Sequence, residues 1–524
     1  MKKYLNLFDF SQKVNYRTEI LSGLTVAFAL VPEAIAFALI PGFSPLTGLY
    51  AAFVVALITS ILGGRPGMIS GATGAVAVIF VGLILELKDN FPGITPETIL
   101  HYVFATVIIA GLLQITAGVL KLGKFIRLVP HPVMFGFVNG LAIIIFMAQF
   151  PNFYEKGTTD LLSGAAFWTM LGLTVLTMVI IWGFPKITKA IPSSLLAIIV
   201  VSAIVLGFGI DTRTVADTIA VGESIKGGFP PLSIPNIPLT LETFKIIFPY
   251  AAIVAGVGLI ESLLTLNIID EITDTRGSGN KECIAQGTAN IFSGFLSGMG
   301  GCAMIGQSLI NTSAGARARL SGITAAIMLL VFIMFGSSLI ERLPMAALVG
   351  LMFMVAIGTF EWASFKTFKK MPTSDVVVMV LVTLITAVTH NLAIAVLFGV
   401  IISALAYSWE NAKRIRARKS IDENGVKVYE IYGPLFFGST AAFAEKFDII
   451  NDPSDIIIDF QESRVADMSG IEALNRITER YAKLGKKVHL KHLSKDCKRL
   501  LANADAIIEV NVLEDPTYKV LAGK

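Results

Sequence analysis

The sequence predicts an α-helical polytopic membrane protein followed by a small α/β domain, and three observations carry that reading. The chain of 524 residues is 54% hydrophobic and only 15% charged, where soluble domains carry roughly 25% charged residues. The ions are unevenly spread: residues 19–408 hold long apolar runs, whereas 409–524 have the balance of an ordinary soluble domain. Within the apolar part, residues 250–319 combine one isolated acid, Glu261, with a glycine-rich segment at 298–308. That segment is too short to cross a bilayer as one plain helix. An ionisable residue beside a broken membrane helix marks a binding site.

A spanning helix needs about 20 mostly apolar residues. The apolar runs predict helices over 19–40, 46–63, 68–87, 98–121, 128–150, 164–184 and 190–209. After a polar loop they continue at 244–267, 281–298, 302–313, 319–339, 344–363, 374–389 and 391–408. These are about fourteen elements, several of them short or interrupted. Basic residues gather in alternate loops: before the first helix (Lys2, Lys3, Lys13, Arg17), at Lys121, Lys124 and Arg127, at Lys186 and Lys189, at Arg317 and Arg319, and at Lys366 to Lys370. More follow the last helix, from Lys413 to Lys419. By the positive-inside tendency this expects a multi-pass protein of the plasma (inner) membrane, with the N-terminal segment 1–18 and the C-terminal domain both cytoplasmic.

The two sets of seven elements look alike. Each opens on a helix with an acid within its apolar run, Glu33 after Pro32 in the first and Glu261 in the second. Each has a glycine-rich third element, at 63–74 and at 298–306. Odd-numbered repeats in a membrane must be inverted, so a 7+7 inverted repeat is expected over 19–408.

Residues 409–425 read as a basic, frayed linker with a turn at 423–425. Strands are then predicted at 426–431, 455–459 and 487–491, with helical patterns at 440–449, 469–484 and 495–503. Strands alternating with helices make an α/β domain over 426–524. Asp467 or Ser469 is placed to cap the helix that opens there.

Several function classes drop out. A net charge of +4 without a basic, aromatic-interleaved patch argues against nucleic acid. Cys283, Cys302 and Cys497 are odd in number and widely spaced, against a disulfide framework or a zinc site. No nucleophile triad, metal-ligand spacing or phosphate loop is present, so a transporter is expected and not an enzyme, with no cofactor beyond a co-transported H+ or Na+.

Small residues at Gly71, Ala72, Thr73 and Gly74, and again at Gly300 to Ala303, are placed to open half-helices near mid-membrane. Free backbone N–H groups and positive dipole ends would then face a small anion. The competing use of such residues is close helix packing. Glu261 in lipid would cost about 2.5–3.5 kcal/mol, so it needs a proton, a cation or a polar partner. Thr265, one turn on, shares its face. A carboxylate with a nearby hydroxyl suits Na+, and a desolvated glutamate equally suits H+. Glu33 reads as a cavity wall or proton-carrying acid. Thr25 is expected to bond its own helix. Asn139, Gln149, Gln286, Asn290 and Gln307 are expected to join helices, with Gln307 and Ser308 notable for their position.

At this point a family resemblance emerges. Pro45-Leu-Thr-Gly-Leu-Tyr50 is similar to the Pro-x-Tyr-Gly-Leu-Tyr signature of the SulP sulfate permeases and their animal solute-carrier relatives. Ser70-Gly-Ala-Thr-Gly74, Glu261-Ser-Leu-Leu-Thr265 and the Asn311 to Gly322 run also match, and the C-terminal domain resembles a STAS domain. The resemblance implies seven plus seven inverted helices divided into core and gate subdomains, in homodimers. It places the anion between the N-termini of the third and tenth helices, at positions matched here by Ser70, Ala72, Thr73 and Gly74 and by Ala303, Met304 and Ile305. Related cyanobacterial bicarbonate carriers hold Na+ on an aspartate and a threonine matched by Glu261 and Thr265, while Glu33 matches the acid of proton-coupled bacterial relatives. This chain departs in having glutamate for that aspartate, Ile305 for a hydroxyl, Gly306 for the arginine of many animal members, Thr47 for the signature tyrosine and Met468 for a phosphorylated serine. The expected function is secondary active transport of a small oxyanion (sulfate, bicarbonate or a dicarboxylate) by alternating access, as an H+ symporter. Na+-coupled bicarbonate symport, anion exchange and a passive channel are the alternatives.

Overall fold

The computed structural model describes residues 15–123, 130–155, 160–187, 192–218, 227–238, 240–367, 370–389, 392–412, 414–422 and 425–493. Two compact units divide at Val400 and Ile401.

The first unit is helical. In its first half, α1 (Tyr16–Leu39), α2 (Pro45–Leu62), α3 (Gly74–Asn90), α4 (Pro96–Val119), α5 (His131–Met147), α6 (Gly164–Gly183) and α7 (Ser193–Phe208) follow in order. Local chemistry sets their ends. The Asn15 and Thr95 side chains accept the Thr18 and Thr98 amides at the starts of α1 and α4, proline opens α2 and α4, and Gly209 in the left-handed region closes α7. The second half runs α8 (Leu241–Thr273), α9 (Gly279–Phe295), α10 (Ile305–Ser313), α11 (Leu320–Phe335), α12 (Ser337–Glu341), α13 (Met345–Thr359), α14 (Ala363–Thr367), α15 (Thr373–Thr389) and α16 (Leu392–Ala412). Eight described helices are long and apolar enough to cross a membrane. At 33 residues α8 is about 50 Å long, more than the roughly 30 Å hydrocarbon core requires.

The helices pack in two groups. One holds α1–α4 and α8–α11; the other joins α5, α6, α7, α13 and α15. Within the first group α4 lies against α9 with backbones almost touching. A Cβ on Gly111 would sit 2.5 Å from the Gly287 carbonyl oxygen, and one on Gly287 would sit 2.4 Å from that of Gly111. Here the small residues serve close packing.

Two predicted helices are corrected. The run over 68–87 becomes helical only at Gly74, and the run over 302–313 only at Ile305. Ahead of each lies a two-residue strand, β1 (Ser70–Gly71) and β2 (Cys302–Ala303), and the two pair antiparallel. Consecutive glycines and small residues lack the side chains that would stabilise a helix, and the extended backbone satisfies its polar groups across the pair.

The second unit carries a four-stranded sheet, β3 (Arg416–Ile421), β4 (Lys427–Tyr432), β5 (Asp455–Glu462) and β6 (Lys487–Lys491), in the order β3-β4-β5-β6. The linker expected over 409–425 is thus corrected at its end, because Arg416–Ile421 forms an antiparallel edge strand on β4. Its basic side chains are mostly exposed, as suits an edge. Helix α18 (Met468–Ala482) covers the sheet through Ile471, Leu474, Ile477 and Tyr481, and Asp467 caps it by accepting the Gly470 amide at 2.9 Å. The pattern at 440–449 yields only a short helix, α17 (Thr440–Ala444). The helix predicted at 495–503 lies outside the described residues.

Candidate functional site

The pairing of β1 with β2 sets Ser70 opposite Ala303 and Gly71 opposite Cys302. It brings the starts of α3 and α10 together from positions far apart in the chain. Thr73 and Met304 stand at the N-cap positions, and neither helix receives a side-chain cap. The first-turn amides of both helices are therefore left for another acceptor.

A cavity of about 1500 Å³ opens in front of these helix ends. Among its walls are Thr73 and Gly74 from α3, Met304 and Ile305 from α10, and the two acids Glu33 and Glu261. Three predicted substrate residues stand elsewhere. Ser70, Ala72 and Ala303 are buried behind the cavity, with Ala303 in an apolar cluster with Met68 and Leu266. They shape the site through the backbone and do not line it.

Each acid accepts a hydrogen bond from the segment around the start of α10. Glu33, in the helix loosened by Pro32, accepts a hydrogen bond from Gln307 Nε2 in the first turn of α10. Glu261 Oε2 accepts from the Cys302 thiol at 2.8 Å, and that sulfur lies 3.2 Å from Thr73 Oγ1. Thr265 is bonded within its own helix. Its hydroxyl donates to the Glu261 carbonyl at 2.8 Å, the side chain is buried, and it does not line the cavity. A mid-helix threonine readily satisfies its hydroxyl on the preceding turn, and Thr25 does the same onto Leu21.

A buried polar frame holds the extended segments. Ser262 Oγ accepts the Ala303 amide at 3.1 Å, Gln286 donates to Ser70 at 2.7 Å, and Ser308 accepts the Ile69 amide at 2.9 Å. Asn290 clamps Gly301 by accepting its amide and donating to its carbonyl, and also donates to Gln114 at 2.8 Å. Gln286, Asn290 and Asn139 all join separate elements as expected. Gln149 instead donates to its own helix at Ile145. Sequence reasoning missed Ser262, Cys302 and Gln114. Serine and cysteine pass as ordinary small membrane residues, and only the paired strands show that they face an acid or an amide.

Comparison with known proteins identifies this architecture. The Sulfate permease family profile matches residues 16–382, most of the chain. The chain belongs to the sulfate permease family. A STAS domain profile matches residues 419–519. The chain is 42% identical to YbaR of Bacillus subtilis (strain 168) over 93% of this chain and 96% of that one. It is 30% identical to the bicarbonate transporter BicA of Picosynechococcus sp., over 86% of this chain and 83% of that one. Among solved structures, the transmembrane domain of a cyanobacterial BicA matches with TM-score 0.63 and 27% identity, covering 75% of this chain and 98% of the other. The overall structure of SLC26A9 matches with TM-score 0.78 over 95% of this chain and 89% of the other, at 18% identity, a likeness of fold. As a sulfate permease family member, the protein is a multi-pass membrane transporter of anions and not an enzyme.

Proposed function

We propose that this transporter is a secondary active carrier of a small oxyanion, of the sulfate or bicarbonate class, driven by a proton gradient through alternating access. The anion occupies the cavity between the starts of α3 and α10, held by first-turn amides with Thr73, Gly74, Met304 and Ile305 as its walls. The observation that carries this is the convergence of two uncapped helix ends on one cavity. YbaR carries a provisional sulfate-transporter name and BicA is named a bicarbonate transporter, and main-chain donors accept either shape of oxyanion.

The acids argue for proton coupling. An ionised carboxylate about 6 Å from a unit negative charge repels it by about 3 kcal/mol at an effective dielectric constant near 20. Protonating Glu33 or Glu261 removes that repulsion and so links proton and anion binding. Sodium is the weaker reading, because Thr265 is buried away from the cavity and the Ile305 side chain offers no oxygen.

The far end of the cavity is lined by Gly123 and Pro130 around the α4–α5 connection, by 274–280 between α8 and α9, and by Glu361 beyond α13. The basic loop at Lys121 supports a cytoplasmic mouth and hence an inward-facing state, with residues 1–18 and the 426–524 domain cytoplasmic. The group of α1–α4 with α8–α11 acts as the core that moves against the gate built on α5–α7, and the working unit in the inner membrane is a homodimer.

The test is uptake into proteoliposomes of labelled sulfate, bicarbonate and fumarate, each under imposed H+ or Na+ gradients. Uphill accumulation of one anion driven by a pH gradient is expected. Flux that follows only the anion's own gradient, whatever the H+ or Na+ gradient, would show a passive channel.

A further inference from the structure

We propose that Cys302 is a positioning residue that relays the protonation state of Glu261 to the Thr73 hydroxyl at the start of α3. This rests on the proton-coupled reading above. Three side chains from three separate elements form one hydrogen-bonded chain: Glu261 Oε2 on α8, the Cys302 thiol on β2 at 2.8 Å, and Thr73 Oγ1 at 3.2 Å from the sulfur. Both ends line the cavity, whereas Cys302 is fully buried between them and is held in place by its pairing with Gly71.

A thiol has one proton to give, so the chain has two polarities. With Glu261 ionised, the thiol donates to the carboxylate, and Thr73 donates to the sulfur. The threonine then presents only lone pairs to the cavity, which repel an anion. With one proton added to Glu261 from cavity water, the carboxylic O–H donates to the sulfur. The S–H turns about Cβ–Sγ to donate to Thr73 Oγ1, and the threonine O–H is released toward the cavity as a donor. Each group keeps its own proton, and the added one stays on Glu261. A proton taken up on α8 thereby becomes an anion donor on α3.

The other titratable groups on elements packed against α8 are engaged elsewhere or placed elsewhere. Glu86 on α3 faces Tyr250, and Lys88 and Asp89 lie in its last turn. On α9, Glu282 accepts from Gly64 and Gln286, while Lys281 and Cys283 stand beside it in the first turns. Glu97, His101 and Tyr102 lie in the first turns of α4, and α10 carries no ionisable group. Across the cavity, Glu33 on α1 is held by Gln307, and His131 opens α5.

Infrared spectroscopy of the S–H stretch in the purified full-length protein tests the relay without a substrate. The Cys302 band is assigned by its loss in Cys302→Ala, since Cys283 and Cys497 remain. It is expected at low frequency at alkaline pH, bonded to a carboxylate, and to move up on acidification. In Glu261→Gln the amide N–H donates to the sulfur at every pH, so the band stays at the acid position. A wild-type band that does not move, or one that moves equally in Glu261→Gln, overturns the relay. In sulfate and bicarbonate uptake, Cys302→Ala is expected to lose about tenfold in acid-side apparent affinity, the worth of one charge-assisted hydrogen bond, and Cys302→Ser to retain it. Wild-type uptake independent of pH would sink the coupling reading and leave the infrared result to decide the relay. Uptake that depends on pH equally in the wild type and Cys302→Ala would sink the relay alone.

Discussion

Ser70 and Ala303 face each other across an antiparallel pair, so the strand ahead of α3 and the strand ahead of α10 share a single ladder. The consequence is mechanical. The two helix starts that face the cavity cannot separate without breaking main-chain hydrogen bonds in a dry interior, where each unmade bond is expensive.

That ladder has no room for a side chain at Gly301. A Cβ there would sit 1.9 Å from the Gly71 carbonyl oxygen, so Gly301→Ala must push the strands apart. We expect a loss of about 1–3 kcal/mol or more in stability and loss of transport. Gly306→Ala is the control, because no heavy atom lies within 4 Å of its added Cβ. Thermal melting of the detergent-solubilised protein compares them; equal melting temperatures would refute the packing argument.

Glu33 and Glu261 both line the cavity, but only Glu33 contacts α10 through Gln307. Glu33→Gln should abolish uptake driven by an inward proton gradient while leaving counterflow of the anion measurable. Unchanged pH-driven uptake in proteoliposomes would remove Glu33 from the coupling mechanism.

Thr73 is the wall residue whose hydroxyl stands at the N-cap of α3. Thr73→Val keeps its shape and removes the hydroxyl, so apparent anion affinity should fall about tenfold with folding intact. Enlarging Ala303, in contrast, acts on packing: Ala303→Leu meets Met68 and Leu266 and should lower stability first. Substrate-protected thermal shift separates the two effects, and wild-type affinity in Thr73→Val would discard the hydroxyl's role.

In the STAS domain, Asp452 is buried and accepts hydrogen bonds from Lys427, Tyr429 and Tyr481. Burial alone would raise its carboxyl, but those three donors outweigh it and hold it below the usual carboxylate range. The sign follows: the domain gains stability above the unfolded carboxylate value near 3.9, and loses it as pH falls through the lower folded value. Asp452→Asn should cost about 2–3 kcal/mol near neutral pH and flatten that acid loss. Proteolytic cleavage rates of the domain in the full-length protein, followed with pH, give the comparison. Parallel profiles would contradict it.

Composition and periodicity alone yield the helical membrane class, most helix positions and the α/β tail. Run length and period are local properties: α2 (Pro45–Leu62) against 46–63 and α6 (Gly164–Gly183) against 164–184 differ by a residue or so because apolar runs and prolines set their ends. The sequence also pointed to both broken helices, since glycine clusters beside isolated acids are conspicuous in an apolar chain. Which polar groups meet depends on the packing of segments far apart in the chain. Gln307 reaches Glu33 from 274 residues away, and Ser22 reaches Asn311 from 289. Thr265, the expected partner of Glu261, lies one turn away and turns to its own helix, whereas Cys302, read in the sequence only as an unpaired cysteine, takes that place. A buried polar group takes whichever partner the packing brings within about 3 Å, and inside a membrane helix its own preceding carbonyl always competes.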